Sequence, residues 1–141
     1  MRSMVEGRLR RRPAPPHQFL PSLASLVDRL TATPAGIALG PLDQIADGAA
    51  RSFVIELRAG RFHGFVVRRG AEAFGYVDRC PHMGLPLAQK LDEYVAAGQI
   101  ACSWHGALFD VATGACRAGP CPGSALTPWP VRVEAGAIVT G

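Results

Sequence analysis

The chain lacks several features that assign a sequence to a broad functional class. None of its 141 residues belongs to a run approaching the ~20 apolar residues of a membrane-spanning helix. It has no internal repeat and no G-x-G-x-x-G fingerprint of a flavin or nicotinamide domain. Charged residues are also sparse, at 18% against 48% hydrophobic residues, which is the balance of a globular domain rather than a disordered chain. We therefore expect a single globular domain without a membrane span.

The net charge is confined to the N-terminus. Residues 1–12 contain five arginines against one glutamate, a difference equal to the whole net charge of +4. The rest of the chain is balanced and has no net-charge reason to bind nucleic acid or membrane. We predict that residues 1–18 form a disordered basic leader. Residues 19–39 lack a convincing export signal, so we expect a cytoplasmic protein.

The pattern along the chain favours an all-β fold with a short N-terminal helix. Apolar residues at helical spacing predict a helix near 22–31, within an extension that we place at 19–35. From residue 36 to residue 141, short β-like runs alternate with turns rich in glycine and proline. The predicted strands are 52–58, 62–68, 73–79, 99–102, 131–134 and 137–140. Residues 87–97 contain few β-branched side chains and could form a short helix.

Two small groups of candidate metal ligands follow two of these strands. Cys80 and His82 form a C-x-H motif, and Cys102 and His105 form a C-x-x-H motif. Together they supply two thiolates and two imidazoles, the ligand set of a mixed-ligand 2Fe–2S centre. The same four residues could also hold zinc in a closed tetrahedral site. Their spacing is unusual for structural zinc and therefore favours the iron–sulfur interpretation.

The paired motifs resemble the cluster-binding signature of the Rieske 2Fe–2S family. The resemblance implies a stack of three antiparallel sheets over residues 36–141, with one 2Fe–2S cluster at the tip. It implies that Cys80 and Cys102 bind one iron, and that His82 and His105 bind the other and face solvent. Residues 119–122 are similar to the proline-rich loop that covers the cluster from a third side in this family.

The chain departs from the high-potential Rieske proteins of cytochrome bc-type complexes. Leu85 and Trp104 occupy the positions where those proteins place two disulfide-bonded cysteines. Ala107 and Phe109 stand where a serine and a tyrosine donate hydrogen bonds to cluster sulfurs. Because such donors stabilise the reduced cluster, we expect a potential near or below the lower end of the Rieske range of about −150 to +300 mV.

Residues 106–114 and 130–134 resemble the Rieske-type ferredoxins that serve bacterial oxygenases. No histidine follows His105, so we do not expect the separate iron site, held by two histidines and a carboxylate, at which oxygenases react. The resemblance therefore implies a one-electron carrier between a reductase and a terminal oxygenase or similar enzyme, without a substrate site of its own.

Two alternatives to the carrier stay open at this point. One is the small Rieske subunit of a larger reductase, such as a nitrite reductase. The other is a redox-sensing or zinc-binding module that passes no electrons. The remaining cysteines, Cys116 and Cys121, are either free thiols or partners in a short disulfide, and the sequence does not decide between these.

Overall fold

A computed structural model of the chain describes residues 29–81, 86–88, 92–103, 106–119 and 123–141. In these ranges the fold is all-β, as predicted, and its only helical element is a 3₁₀ turn at Leu42–Gln44. The strands are β1 (Ala38–Pro41), β2 (Ala50–Leu57), β3 (Gly60–Arg69), β4 (Glu72–Val77), β5 (Val95–Ala96), β6 (Gln99–Ala101), β7 (Leu108–Phe109), β8 (Cys116–Ala118), β9 (Val131–Glu134) and β10 (Ala137–Thr140). They form three antiparallel sheets, ordered β1-β10-β9, β2-β3-β4 and β5-β6-β7-β8.

The central sheet separates two cores, because successive side chains of a strand point to opposite faces. On β3, Phe62 and Val66 face one side, and Phe65 and Val67 face the other. The first side forms the basal core, whose buried members are Leu39, Leu42, Ile45, Phe53, Ile55, Phe62, Val66, Val77, Trp129 and Ile138. The second forms the cysteine-side core, whose buried members are Ala50, Phe65, Val67, Tyr76, Cys80, Leu87, Tyr94, Ile100, Cys102, Ala107, Phe109, Val111 and Leu126.

Two hairpins follow the sequence prediction closely. Strands β2 and β3 pair from Ala50↔Val67 to Leu57↔Gly60. Strands β9 and β10 are joined by Ala135 and Gly136, both with positive φ, at 50° and 79°. Positive φ at both central residues is the conformation of a tight two-residue hairpin turn, which glycine favours.

The predicted helix at 87–97 is wrong for the residues that the structure describes there. Val95–Ala96 is strand β5, which pairs with β6 through a turn at Ala97 and Gly98. These turn residues have φ of 52° and 78°. Turn geometry and pairing with β6 therefore override the weak helical preference of this segment. Residues 89–91 lie outside the described residues.

The N-terminal extension crosses the basal side of the domain. Leu30 forms an isolated parallel bridge with Phe62, and its N–H donates to the Arg61 carbonyl at 2.9 Å. The hydroxyl of Thr33 accepts a hydrogen bond from Trp129 Nε1 at 2.8 Å. Residues 22–28 of the predicted helix, and the predicted leader, lie outside the described residues. The described end of that helix, from residue 29 to residue 31, is not helical.

No segment of the described ranges is both helical and long and apolar enough to cross a membrane.

Candidate metal centre

The first candidate ligand, Cys80, lies just beyond the end of β4. The backbone leaves the central sheet at Val77, and the Asp78 N–H still donates to the His63 carbonyl at 3.0 Å. Cys80 is 1% exposed and belongs to the cysteine-side core. The β4 strand therefore delivers a buried thiol at the start of the first loop.

The second candidate ligand, Cys102, follows β6 in the same way and is also 1% exposed. Its N–H donates to the Ala107 carbonyl at 2.8 Å, and its carbonyl accepts from the Gly106 N–H at 3.0 Å. Gly106 has φ of 69°, which a residue with a side chain adopts only with strain. These bonds close a tight loop that returns the chain into β7.

The two cysteine loops touch each other directly. The Ser103 N–H, next to Cys102, donates to the Leu87 carbonyl at 2.7 Å. Leu87 is fully buried in the core that contains both cysteines. The structure thus places Cys80 and Cys102 in the same core, on loops that contact each other. His82 and His105 lie outside the described residues, so their position in the site stays a prediction.

A third loop packs against the second one. A Cβ atom added at Gly119 would lie 2.7 Å from the Cα of Ala107, so only glycine fits this approach. Ala107 and Phe109, which replace the hydroxyl donors of high-potential relatives, are both fully buried here. Residues 120–122, including Cys121, lie outside the described residues. Cys116 on β8 is half-buried, and its thiol donates to the Ala118 carbonyl at 3.5 Å.

The donor set fits a soft metal centre. Two thiols that are each 1% exposed, on loops joined by a hydrogen bond, are suited to iron–sulfur or zinc rather than to hard cations such as Mg²⁺. Thiolates in an apolar shell are also shielded from solvent, which helps to retain the bound group. The described residues therefore fit the cluster predicted from the sequence.

The sequence prediction missed Asp78, a carboxylate at the root of the first loop. Its oxygens accept hydrogen bonds from the Leu87 N–H at 2.9 Å and from the Tyr94 hydroxyl at 2.8 Å. Burial raises the pKa of Asp78, and these two bonds and the nearby Arg29 guanidinium oppose the rise. Burial and the Asp78 carboxylate in turn raise the pKa of Tyr94 well above its usual value. An acidic residue two positions before a candidate ligand cysteine was the available signal in the sequence.

His63 lies near the first cysteine loop. It is half-buried, and its side chain lines a small cavity with Arg29 and Asp78. Burial, reinforced by Arg29 and Arg61, lowers the pKa of His63 from 6.5 to about 3. The imidazole is therefore neutral at physiological pH.

The chain is similar to known proteins with a 2Fe–2S domain. A family model described as the Rieske [2Fe-2S] domain matches residues 39–133. The ferredoxin component of the p-cumate 2,3-dioxygenase system of Pseudomonas putida is 41% identical over 69 residues, which are 48% of this chain and 54% of that protein. The match therefore spans about half the length of that curated relative.

Two solved structures share the fold. The ferredoxin of carbazole 1,9a-dioxygenase from Nocardioides aromaticivorans IC177 is similar with a TM-score of 0.60 and 28% identity, over 78% of this chain and 98% of that one. A structure described as a complex of reduced oxygenase and oxidized ferredoxin in carbazole 1,9a-dioxygenase contains a chain similar with a TM-score of 0.59 and 25% identity. That likeness covers 75% of this chain and 90% of the other.

Proposed function

The chain belongs to the Rieske [2Fe–2S] domain family and its cofactor is a 2Fe–2S cluster, and from this premise we propose that it is a ferredoxin, a one-electron carrier. It takes an electron from a reductase and passes it to a terminal oxygenase. The observation that carries the proposal is the match to a dioxygenase ferredoxin over 98% of that chain, with both cysteines buried on adjoining loops.

The proposed ligands are Cys80 and Cys102 on one iron and His82 and His105 on the other. The burial of both cysteines and the hydrogen bond between their loops support the sulfur half of this assignment. The imidazole half depends on the motif spacing. When bound, the cluster supplies reversible one-electron transfer at an iron with neutral histidine ligands.

The apolar residues around the site exclude water from the bound cluster. Leu87, Ala107 and Phe109 are each fully buried and form an apolar wall beside the cysteines. Neither Ala107 nor Phe109 has a side-chain donor for a cluster sulfur. We therefore propose a low potential, near or below about −150 mV.

An oxygenase acceptor is supported by the matched chains of oxygenase systems. The p-cumate protein is described as a ferredoxin component, and the carbazole complex as one of oxygenase with ferredoxin. A reductase donor follows from the one-electron chemistry, because a carrier must be re-reduced after each transfer.

We further propose a cytoplasmic location, with the Rieske domain at 36–141, an extension at 19–35 and a leader at 1–18.

The proposal is tested first by composition and spectroscopy. Freshly purified protein, protected from oxygen, should be reddish-brown and contain iron and acid-labile sulfide. Colourless protein containing zinc would refute the carrier. Stopped-flow mixing with a reduced ferredoxin reductase, and then with an oxygenase, should give reduction and reoxidation of the same chromophore. Reduction without reoxidation by any oxygenase would instead favour a sensor.

The ligand assignment is tested with His105→Cys. This change replaces a neutral donor with an anionic one, so the cluster should be lost or its potential should move to a more negative value. A redox titration and an electron paramagnetic resonance (EPR) spectrum of the reduced protein measure both outcomes. An unchanged spectrum would contradict the assignment.

A further inference from the structure

The side chain of Asp78 is hydrogen-bonded to two residues between Cys80 and Cys102, Leu87 in the first cysteine loop and Tyr94 just before β5. Oδ1 accepts from the Leu87 N–H at 2.9 Å, and Oδ2 accepts from the Tyr94 hydroxyl at 2.8 Å. Asp78 as a residue is only half-buried, but both of its donors belong to buried residues. The carboxylate therefore reaches inward from a position two residues before Cys80.

The same two residues also hold the chain on both sides of Cys102. The Leu87 carbonyl accepts from the Ser103 N–H at 2.7 Å, and the Tyr94 carbonyl accepts from the Ala101 N–H at 2.8 Å. Leu87 and Tyr94 thus each link the Asp78 carboxylate to a residue next to Cys102. One side chain is linked in this way to both cysteine loops.

We propose that Asp78 is a positioning residue that fixes the Cys80 and Cys102 thiols relative to each other. Its role is to preset the separation of the two sulfurs, without itself binding the metal. The inference rests on the proposed ligand set. It adds a residue that acts through Leu87 and Tyr94 on both sulfur ligands.

The surroundings make this framework rigid. Leu87 is 0% exposed and Tyr94 is 3% exposed. The Tyr94 ring stacks on Phe65 with 4.2 Å between ring centroids and 7° between planes. If the carboxylate is removed, the Leu87 N–H loses its acceptor, and the Tyr94 hydroxyl keeps only its hydrogen bond with Ser52. The start of the first cysteine loop then loses its link, through Leu87 and Tyr94, to the residues next to Cys102.

The test compares Asp78→Ala with Asp78→Asn in the cluster-loaded protein. Asparagine keeps an oxygen acceptor for the Leu87 N–H and can direct its amide N–H at the Tyr94 oxygen. Alanine keeps neither contact. Both variants remove the negative charge, so the difference between them reports positioning and not charge.

Two readouts that do not depend on electron transfer to a partner are measured. Iron release into excess chelator should be about ten- to a hundredfold faster in Asp78→Ala than in the wild type. In Asp78→Asn it should stay within about threefold of the wild type, because both contacts are retained. The EPR spectrum of the reduced protein should change in the alanine variant and keep its wild-type shape in the asparagine variant.

Asp110→Ala is the matched control. Its carboxylate accepts hydrogen bonds from Thr113, within one turn, and pairs with Arg117, so its removal leaves both cysteine loops tied. This variant should release iron at the wild-type rate. Tyr94→Phe, which removes only one of the two bonds to Asp78, should release iron at an intermediate rate.

Equal iron release and equal spectra in Asp78→Ala and Asp78→Asn would overturn the proposal. If Asp78→Ala yields no folded protein, Tyr94→Phe decides, and a wild-type rate in that variant overturns the proposal. The iron and sulfide content of the wild type distinguishes failure of the proposed function from failure of this inference. If iron and sulfide are absent, both are refuted. If they are present and the Asp78 variants behave alike, only the inference is refuted.

Discussion

The two cores on either side of the central sheet differ in the side chains they contain. The basal core contains large apolar side chains, with Trp129 packed against Phe62 at a centroid distance of 4.7 Å and against Phe53 at 6.0 Å. The cysteine-side core contains two buried thiols and a tyrosine that bonds to a carboxylate. Its sheet is also built from strands of only two or three residues.

This difference indicates which forces hold each half. In the basal half, burial of large apolar side chains against the central sheet supplies the stabilisation. In the cysteine-side half, hydrogen bonds hold the loops, and with the proposed ligands the bound cluster would also link them. We therefore expect the cysteine-side half to depend on the metal and the basal half to be largely independent of it.

The strongest test of this comparison is Cys102→Ser. The change removes one proposed sulfur ligand, so the purified protein should lose the cluster and its colour entirely. Hydrogen exchange should rise in β5 to β8 and much less in the β9–β10 hairpin. Cys116→Ser is the control, because Cys116 is not a proposed ligand. An equal rise in both halves, or the same loss in the control, would contradict the comparison.

A large effect on the basal half alone is expected from Trp129→Ala. The side chain is 1% exposed, and its Nε1 donates to Thr33 in the extension. Its loss should lower the free energy of unfolding by about 3–5 kcal/mol, measured by denaturant titration. The EPR spectrum of the reduced protein should not change. A changed spectrum would show that the two halves are coupled.

A moderate, pH-dependent effect is expected at His63. Because its pKa falls from 6.5 to about 3 on folding, the unfolded chain binds a proton in this range that the folded chain does not. The stability that neutral His63 contributes is therefore complete above pH 6.5 and is lost as the pH falls towards 3.

The raised pKa of Asp78 makes the free energy of unfolding change with pH in the opposite sense. The effect of His63 is therefore measured as the difference between the wild type and a His63 variant. The free energy of unfolding of the wild type should fall more steeply below pH 6.5 than that of His63→Gln. Denaturant titrations at a series of pH values check this. Parallel curves would show that His63 titrates alike in both states.

The smallest effect is expected at the surface of the basal half, at Glu134. Its carboxylate pairs with Arg132 at 2.8 Å, but the two side chains are 57% and 47% exposed. Glu134→Gln should change the free energy of unfolding by less than about 0.5 kcal/mol. A larger loss would mean that the β9–β10 hairpin depends on charge as well as on packing.

The sequence by itself determined the features that depend on local rules. The Ala135 and Gly136 turn could be read directly, because few residue pairs adopt positive φ at two successive positions. Strands β4 and β6 were also predictable, with ends within two residues of those observed at Val77 and Ala101, and each was expected to lead into a candidate ligand loop. The paired ligand motifs predicted the family and the cofactor, because their residue types and spacing are rare by chance.

Only the tertiary structure decided what lies far apart in the chain. Strand β5 forms because β6 is available to pair with it, although the segment around it has few of the β-branched residues typical of strands. Leu87 is hydrogen-bonded to Asp78 and to Ser103 across the two cysteine loops, and no local sequence pattern predicts these two bonds. The partners of a buried carboxylate depend on which loops the sheets bring together, and that is settled when the whole domain packs.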